Sequence, residues 1–200
     1  MSESDLIKWD GRYRDGSYRA RTHPTPYLER WLPQLPRGLA LDVACGTGRN
    51  ALFLAAHDYR VDAVDISPVA LAAGRDKGGE NRDAVRWIQA DLDQFVPERS
   101  CYDLIVVARY LNRLLMPRIE GALKPGGALV YEHHFRTDEP VDGPRDPDFR
   151  LAPGELESWF KNLDIHDYRE GLLRDPDGRL MALAQMVAFR PDRAPATSAE

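Results

Sequence analysis

The stretch ALDVACGTGRNALFLA, residues 40–55, decides the fold of this chain. A short apolar run ends in Gly-Thr-Gly and passes into a helical pattern, which predicts a buried strand, a tight glycine turn and a helix. Gly46, Gly48 and Ala51 fit G-x-G-x-x-G/A, the pattern of dinucleotide-binding proteins. Asp42, however, lies inside the strand, and a carboxylate beside a diphosphate would be repulsive. The loop therefore suits a ligand that carries positive charge.

Strand and helix patterns alternate along most of the chain, which predicts an α/β fold with a doubly wound, Rossmann-like sheet in a single domain. A helix is predicted over 110–123, with Pro117 as a kink or break. The turn RDPDG joins the last two strands and is too short for a parallel crossover, so the sheet of seven strands ends in an antiparallel strand. The further predicted strands cover 60–67, 84–91, 102–109, 163–172 and 179–190, and residues 124–134 are predicted to form a turn followed by the fifth strand.

Three regions are predicted. Residues 1–38 precede the first strand and hold several aromatic and arginine side chains, which suggests a helical lid rather than a disordered arm. Residues 39–190 form the ligand-binding domain. Residues 191–200, PDRAPATSAE, have the composition of a disordered tail.

Composition limits the partners. The chain has 200 residues, 43% hydrophobic and 30% charged, with a net charge of −5, so we expect neither nucleic-acid nor anionic-membrane binding. The polar, acidic N-terminus is not a signal peptide and no apolar run approaches membrane-spanning length, which favours a cytoplasmic protein acting as monomer or homodimer. Cys45 and Cys101 make no metal or redox pattern, and no metal is expected.

Three acids lie near the carboxyl ends of predicted strands: Asp42 inside the first strand, Asp65 at the end of the second and Asp91 at the end of the third. Ligands of doubly wound sheets bind at the carboxyl ends of strands, so these acids should surround the glycine loop. An ammonium group, a ribose and an amino-purine would suit them, and S-adenosylmethionine combines all three without a phosphate. Each acid also has a simpler interpretation: Asp42 as a cap of loop amides, Asp65 as a helix N-cap and Asp91 as a turn residue.

In four motifs the chain resembles class I S-adenosylmethionine-dependent methyltransferases. LDVACGTGR resembles their first motif, VDAVDIS their acidic second, QADL their third and LKPGGALV the turn into their fifth strand. Within that family the chain is similar to the small tellurite-resistance-type enzymes, in the N-terminal stretch WDGRYRDGSYRARTH, in RLAPGELESWF and in REGLLRDPDGRL. The N-terminal stretch also resembles a pattern of thiopurine-type methyltransferases.

The resemblance implies roles for individual residues. Gly46 and Gly48 would let the backbone approach the methionine part of the cofactor, Asp65 would bind the ribose hydroxyls, and Asp91 with Leu92 would face the adenine. The full set of cofactor-binding residues is Tyr13, Arg21, His23, Asp42, Ala44, Gly46, Gly48, Arg49, Asp65, Ile66, Asp91, Leu92 and Ala108. The candidate substrate-binding residues are Trp9, Arg12, Tyr18, Arg109, Tyr110 and Arg113.

Candidates for catalysis are few. His133 ends a predicted strand beside the expected cleft and is the candidate base, or else a structural histidine. Arg109, Arg113 and Arg174 suggest an anion pocket, or else solvated surface positions. The Arg109–Arg113 pair departs from the tellurite-resistance type, so that substrate is not carried over.

The sequence therefore predicts methyl transfer from S-adenosylmethionine to a small-molecule nucleophile. A soft acceptor, such as a thiol or a selenium or tellurium oxyanion, needs little help from a base; a phenolic or carboxylate oxygen is the alternative. Two alternatives from other classes are a nicotinamide-dependent oxidoreductase, which Asp42 disfavours, and a non-catalytic module that binds S-adenosylmethionine.

Overall fold

The structure is a computed structural model that describes residues 3–18 and 20–192, so most of the predicted tail (193–200) lies outside the described residues. The helices within these ranges are α1 (Glu3–Arg14), α2 (Pro26–Trp31), α3 (Arg49–Ala55), α4 (Pro68–Lys77), α5 (Met116–Ala122) and α6 (Glu155–Trp159). The strands are β1 (Leu39–Val43), β2 (Arg60–Asp65), β3 (Val85–Gln89), β4 (Tyr102–Ala108), β5 (Leu123–His134), β6 (Asp164–Arg174) and β7 (Leu180–Phe189). None of these helices is both long enough and apolar enough to span a membrane.

The seven strands form one sheet in the order β3-β2-β1-β4-β5-β7-β6. Neighbours among β1 to β5 pair in parallel, whereas β7 runs antiparallel to both β5 and β6. The predicted Rossmann-like fold with an antiparallel last strand is confirmed. Strand order reverses between β1 and β4, so the crevice for a ligand opens beyond the carboxyl ends of these two strands.

Alternation along the central strands places a hydrophobic core on each face of the sheet. Leu41 and Ile105 contribute to one core, together with Ile119 of α5. Ala40 belongs to the other core, which also contains Leu54 of α3. Because both faces are covered, the central strands are apolar almost throughout, and Asp42 is a conspicuous exception.

Helix α1 lies outside both cores and contributes no buried residue. It contacts α4, where the Asp10 carboxylate accepts a hydrogen bond from the Ser67 hydroxyl. Ser67 caps α4, since its Oγ accepts from the amide of Ala70 at 3.1 Å. The first helix is therefore attached to the rim of the crevice rather than to the apolar interior.

The prediction of a helix from residue 110 was wrong. Helix α5 begins at Met116, with Pro117 in its first turn, where proline is tolerated. Before it, the Asn112 side chain accepts from the amides of Leu114 and Leu115 and holds a turn instead. Consequently Arg109 and Arg113 are not one helical turn apart.

Candidate functional site

The glycine loop follows β1 directly and enters α3. Ala44, Gly46 and Gly48 all have positive φ, at 54°, 56° and 75°, a conformation that disfavours any residue with a Cβ. Gly46 is tightly enclosed, because a Cβ there would lie 2.7 Å from Oη of Tyr13. The loop thus presents bare backbone to the crevice, with the N-terminal segment directly above it.

Asp42 supports this loop from behind. It is 1% exposed, and its Oδ2 accepts from the amide of Ala51 at 3.0 Å. Burial raises the pKa of Asp42 to about 7, against the effect of the Arg49 guanidinium, which lowers it. Among the alternatives, this geometry favours the cap of backbone amides.

We expect Asp42→Asn to change how stability depends on pH. The pKa of Asp42 rises from 3.8 to about 7 on folding, so the unfolded state binds fewer protons in this window and the wild type loses stability as pH rises through it. One pKa unit corresponds to about 1.4 kcal/mol, so the effect should reach a few kcal/mol. Asparagine keeps the acceptor for Ala51 and removes the titration. Urea unfolding should show the stability of the variant rising relative to that of the wild type between about pH 4 and 7; a constant difference across this range would contradict the shifted pKa.

Asp65, the last residue of β2, supports the loop from the adjacent strand. Its Oδ2 accepts from the amide of Gly46 at 2.8 Å, and its Oδ1 accepts from the amide of Ser67 at 2.9 Å. Burial raises the pKa of Asp65, and the two backbone hydrogen bonds oppose this shift. The carboxylate joins the glycine loop to the start of α4, so it lies where the resemblance requires a ribose-binding acid.

The crevice contains a cleft of about 50 Å³, which holds only a few water molecules. Cofactor pockets usually measure about 300–1,000 Å³, so the cleft in this conformation is too small for a cofactor. The cleft is lined by Tyr13, Tyr18, Ala20, Arg21, Asp42, Ala44, Cys45, Gly46, Thr47, Arg49, Asn50, Ala108 and Arg109. Nine of the predicted cofactor-binding or substrate-binding residues line this cleft: Tyr13, Tyr18, Arg21, Asp42, Ala44, Gly46, Arg49, Ala108 and Arg109.

Three aromatic rings of the N-terminal segment pack on one another above the cleft. The rings of Trp9 and Tyr18 are 5.4 Å apart and those of Tyr13 and Tyr18 are 5.3 Å apart, both edge to face. Burial and the nearby Asp65 raise the pKa of Tyr13, so its hydroxyl stays protonated. Trp9 supports the other two rings without lining the cleft, and the exposed Arg12 lies over Trp9 at 5.3 Å.

Three guanidinium groups face the same cleft. Arg109 follows β4 and has a φ of 65°, a strained conformation for arginine. Arg21 donates to Asp175 Oδ2 at 3.0 Å, and Arg49 donates to the carbonyl oxygen of His23 at 3.2 Å. Arg21 and Arg49 also line an adjoining cavity of about 340 Å³. The cleft is thus lined by three arginines, of which only Arg109 belongs to the predicted anion pocket.

A row of polar side chains crosses the sheet and ends at Arg109. Glu132 Oε1 lies 3.0 Å from Nη2 of Arg109, and Glu132 Oε2 accepts from the amide group of Gln185. Gln185 in turn accepts from Nε of Arg169 at 2.7 Å, and the Arg169 guanidinium lies over the ring of Tyr27. Pairing of β5 with β7 and of β7 with β6 brings these residues into one line, which fixes the position of Glu132.

His133 does not line the cleft. It is 3% exposed, and its Nε2 is 3.0 Å from the carbonyl oxygen of Phe149, an acceptor that requires the proton on Nε2. Burial lowers the pKa of His133 to about 4 and that of His134 to about 2. Both histidines are therefore neutral near pH 7, and the geometry favours the structural interpretation of His133.

The other two predicted arginines lie away from Arg109. Arg113 is exposed and pairs with Glu155 at 2.5 Å, so it anchors α6 rather than the cleft. Arg174 is exposed and donates to the carbonyl of Gly178 within the β6–β7 turn. The three-arginine pocket predicted from the sequence is not formed by these three residues.

The remaining predicted residues surround the cleft without lining it. Ile66 and Leu92 are buried, and Asp91 accepts from the amide of Asp93 in a turn beyond β3. The Tyr110 hydroxyl lies 3.2 Å from the Asn112 amide group. His23 lies 3.6 Å from Asp177, beside the β6–β7 turn.

Sequence reasoning missed four lining residues: Ala20, Cys45, Thr47 and Asn50. Asn50 is the informative one, because its Oδ1 accepts from the amide of Thr25 at 2.9 Å and ties the N-terminal segment to α3. Trp87 was also missed, although its ring fills the space that a Cβ on Gly48 or Gly74 would need. The available signal was a large aromatic residue on a predicted strand that follows the glycine loop and the helix that contains Gly74.

Comparison with known proteins agrees with this arrangement. Residues 40–127 match the methyltransferase domain family. The chain is 31% identical over 165 residues to hemagglutinin 1 of Eikenella corrodens, covering 76% of this chain and 54% of that protein. It is 32% identical over 128 residues to trans-aconitate 2-methyltransferase of Methylobacterium radiotolerans, covering 60% and 47%. The chain thus spans about half the length of these curated relatives.

Solved structures share the fold. One, from work on the conversion of a disulfide bond into a thioacetal group during echinomycin biosynthesis, aligns with a TM-score of 0.73 at 21% identity and covers 96% of this chain and 95% of that one. TehB from Haemophilus influenzae aligns with a TM-score of 0.71 at 23% identity, covering 90% and 66%. The family match covers β1 to the start of β5, which includes the glycine loop and Asp65. Residues 40–127 of this chain therefore match a methyltransferase domain, and the chain has the seven-stranded, Rossmann-like methyltransferase fold.

Proposed function

We propose that this protein transfers a methyl group from S-adenosylmethionine to a small-molecule nucleophile. The observation that supports this most directly is the position of the glycine loop at the switch point of the sheet, beneath an N-terminal helix that carries Tyr13. Cofactors of doubly wound folds bind at this place. The acids behind the loop disfavour a diphosphate and so disfavour a nicotinamide cofactor.

The residues present fit this cofactor. A backbone turn without side chains, at Gly46, allows close approach of a ligand once Tyr13 withdraws. Asp65 lies at the end of β2, and it can exchange backbone donors for ribose hydroxyls. Arg21 lies where it can meet the methionine carboxylate. With Tyr13, His23, Asp42, Ala44, Gly48, Arg49, Ile66, Asp91, Leu92 and Ala108, these are the residues proposed to hold the cofactor.

When bound, S-adenosylmethionine supplies a methyl group on a positively charged sulfur, ready for displacement. The chain positions the reactants and excludes water, because the rings of Tyr13 and Tyr18 close the cleft from above. The cleft, as lined by described residues, contains no histidine. This composition favours an acceptor that arrives ionised and needs no general base.

Such an acceptor is a soft nucleophile, a thiol or a selenium or tellurium oxyanion, and the likeness to TehB is consistent with a tellurite-resistance type. A small phenolic or carboxylate oxygen is the second candidate, and the match to trans-aconitate 2-methyltransferase favours it. Another relative is a ribosomal protein L11 methyltransferase. The aromatic cover that Tyr13 and Tyr18 place over the cleft supports a small molecule rather than a protein side chain.

Calorimetry is expected to show binding of S-adenosylhomocysteine and none of NAD. Asp65→Ala should weaken that binding by roughly 10- to 100-fold, because each hydrogen bond to a charged acceptor contributes about 1.5–3 kcal/mol. The same variant orphans the buried amides of Gly46 and Ser67, so it should also lower the free energy of unfolding by about 1–3 kcal/mol for each. Asp76→Ala, an exposed acid on α4, is the matched control and should change neither quantity.

Two results would contradict the proposal. Binding of NAD without S-adenosylhomocysteine would indicate an oxidoreductase. Tight binding of S-adenosylmethionine without any release of S-adenosylhomocysteine, when thiols, selenite, tellurite and phenolic acids are all supplied, would indicate a non-catalytic module. Mass spectrometry of the methylated product identifies the acceptor.

A further inference from the structure

Arg109 is the most unusual charged residue of the cleft. Its side chain is 12% exposed, and its Nε and Nη1 atoms are buried with no hydrogen-bond partner among the described residues. Buried charged donors are costly unless something accepts from them. Arg109 also has a positive φ, so backbone strain adds to this cost at the end of β4. Backbone strain of this kind clusters at ligand-binding sites.

Glu132 neutralises only one edge of this guanidinium. One carboxylate oxygen approaches Nη2, while the other is held by Gln185 in the polar row. Glu132 therefore has no second oxygen with which to reach Nε or Nη1. The unpartnered donors of Arg109 stay available to a ligand in the cleft.

Neighbouring arginines add to the positive charge around Arg109. Arg21 and Arg49 line the same cleft, and both lower the pKa of Arg109, although burial is the main cause of its fall to about 10. The acid among the lining residues, Asp42, already accepts from the loop backbone. The sulfonium cofactor would add a further positive charge, so a cationic or neutral acceptor would leave the cleft with uncompensated positive charge.

We propose that Arg109 forms an anion-binding subsite for the methyl acceptor, which therefore carries an oxyanion such as a carboxylate; Arg49, which is proposed to hold the cofactor, adds positive charge beside it. This inference rests on the proposed function and deepens it. Planar oxyanions match the forked donors of a guanidinium group. The methionine carboxylate of the cofactor has the same chemistry, and the test below separates the two sources.

Thermal unfolding tests the subsite. Wild-type protein, both free and saturated with S-adenosylhomocysteine, is titrated with benzoate or with neutral benzamide, and with sulfate against chloride at constant ionic strength. We expect benzoate, sulfate or both to raise the Tm beyond the neutral or chloride control. Arg109→Gln should weaken this anion response roughly tenfold or more, whereas Arg30→Gln, an exposed arginine on α2, should leave it unchanged.

A second variant keeps the test decisive if Arg109→Gln alone fails to fold. Arg109→Gln leaves Glu132 buried without its partner, so Arg109→Gln combined with Glu132→Gln removes both charges and should also lose the anion response. The proposal is overturned if neither anion raises the Tm beyond its control, or if Arg109→Gln keeps the anion response. It is also overturned if S-adenosylhomocysteine abolishes the anion response, because the guanidinium groups would then bind the carboxylate of the cofactor. Failure of S-adenosylhomocysteine to bind the wild type would instead refute the proposed function, independently of the anion response.

Discussion

Substitution of Gly48 by alanine is expected to lower the free energy of unfolding by about 2–5 kcal/mol and to abolish measurable cofactor binding. Gly48 has a φ of 75°, and a left-handed conformation costs a residue with a Cβ roughly 1–2 kcal/mol. The new Cβ would also lie 2.2 Å from Cη2 of Trp87. Trp87 has little room to yield, because Gly74 of α4 faces the same end of its ring.

Gly154→Ala separates the two causes. Gly154 has a φ of 73°, and a Cβ there would meet no atom within 4 Å. Urea unfolding should therefore show only the conformational cost at Gly154 and the additional overpacking cost of about 1–3 kcal/mol at Gly48. Equal losses in the two variants would mean that Trp87 does not hold the loop.

Deletion of residues 1–22 is expected to leave a folded protein with weakened cofactor binding and a turnover reduced by roughly 100-fold or more. Helix α1 has no buried residue, and neither hydrophobic core contains a residue that precedes Tyr27. What the deletion removes is the aromatic cover of Trp9, Tyr13 and Tyr18. Without it, water enters and the acceptor loses its alignment.

Circular dichroism, calorimetry with S-adenosylhomocysteine and release of that product measure the three parts of this prediction. A triple Trp9→Ala, Tyr13→Ala, Tyr18→Ala variant is the control, because it keeps the ion pair of Arg21 with Asp175 and should still lose turnover. Limited proteolysis should cut the segment in the free protein and spare it in the complex. Normal turnover of the truncated protein would show that these rings only pack.

The sheet was predictable from the sequence because its patterns are local. Apolar runs, glycine turns and the short turn RDPDG specify the strands and the antiparallel end without knowledge of the tertiary fold. The position of Asp65 at the end of β2 followed from the same patterns. Resemblance to a family then supplied Tyr13 and Arg21, which local patterns alone do not place near the glycine loop.

The polar contacts were not predictable in this way. The register of β5, β7 and β6 places Gln185 between Glu132 and Arg169. The spacing of these residues along the sequence does not reveal this arrangement. Arg113 was misplaced because the side chain of Asn112 holds a turn where apolar spacing predicts a helix. Long-range pairing therefore determines which arginine faces the cleft.

Under the proposed function, the ring of Tyr13 above Gly46 makes cofactor association a gated process. A ligand that needs several hundred cubic ångströms does not fit the cleft of about 50 Å³ until α1 moves away from the glycine loop. At high cofactor concentration the observed association rate then levels off at the rate of opening. Apparent affinity is likewise reduced by the fraction of molecules that are open. Substitutions on the outer surface of α1 or at Ser67, which touch no ligand, would therefore change the rate at which the protein binds its cofactor.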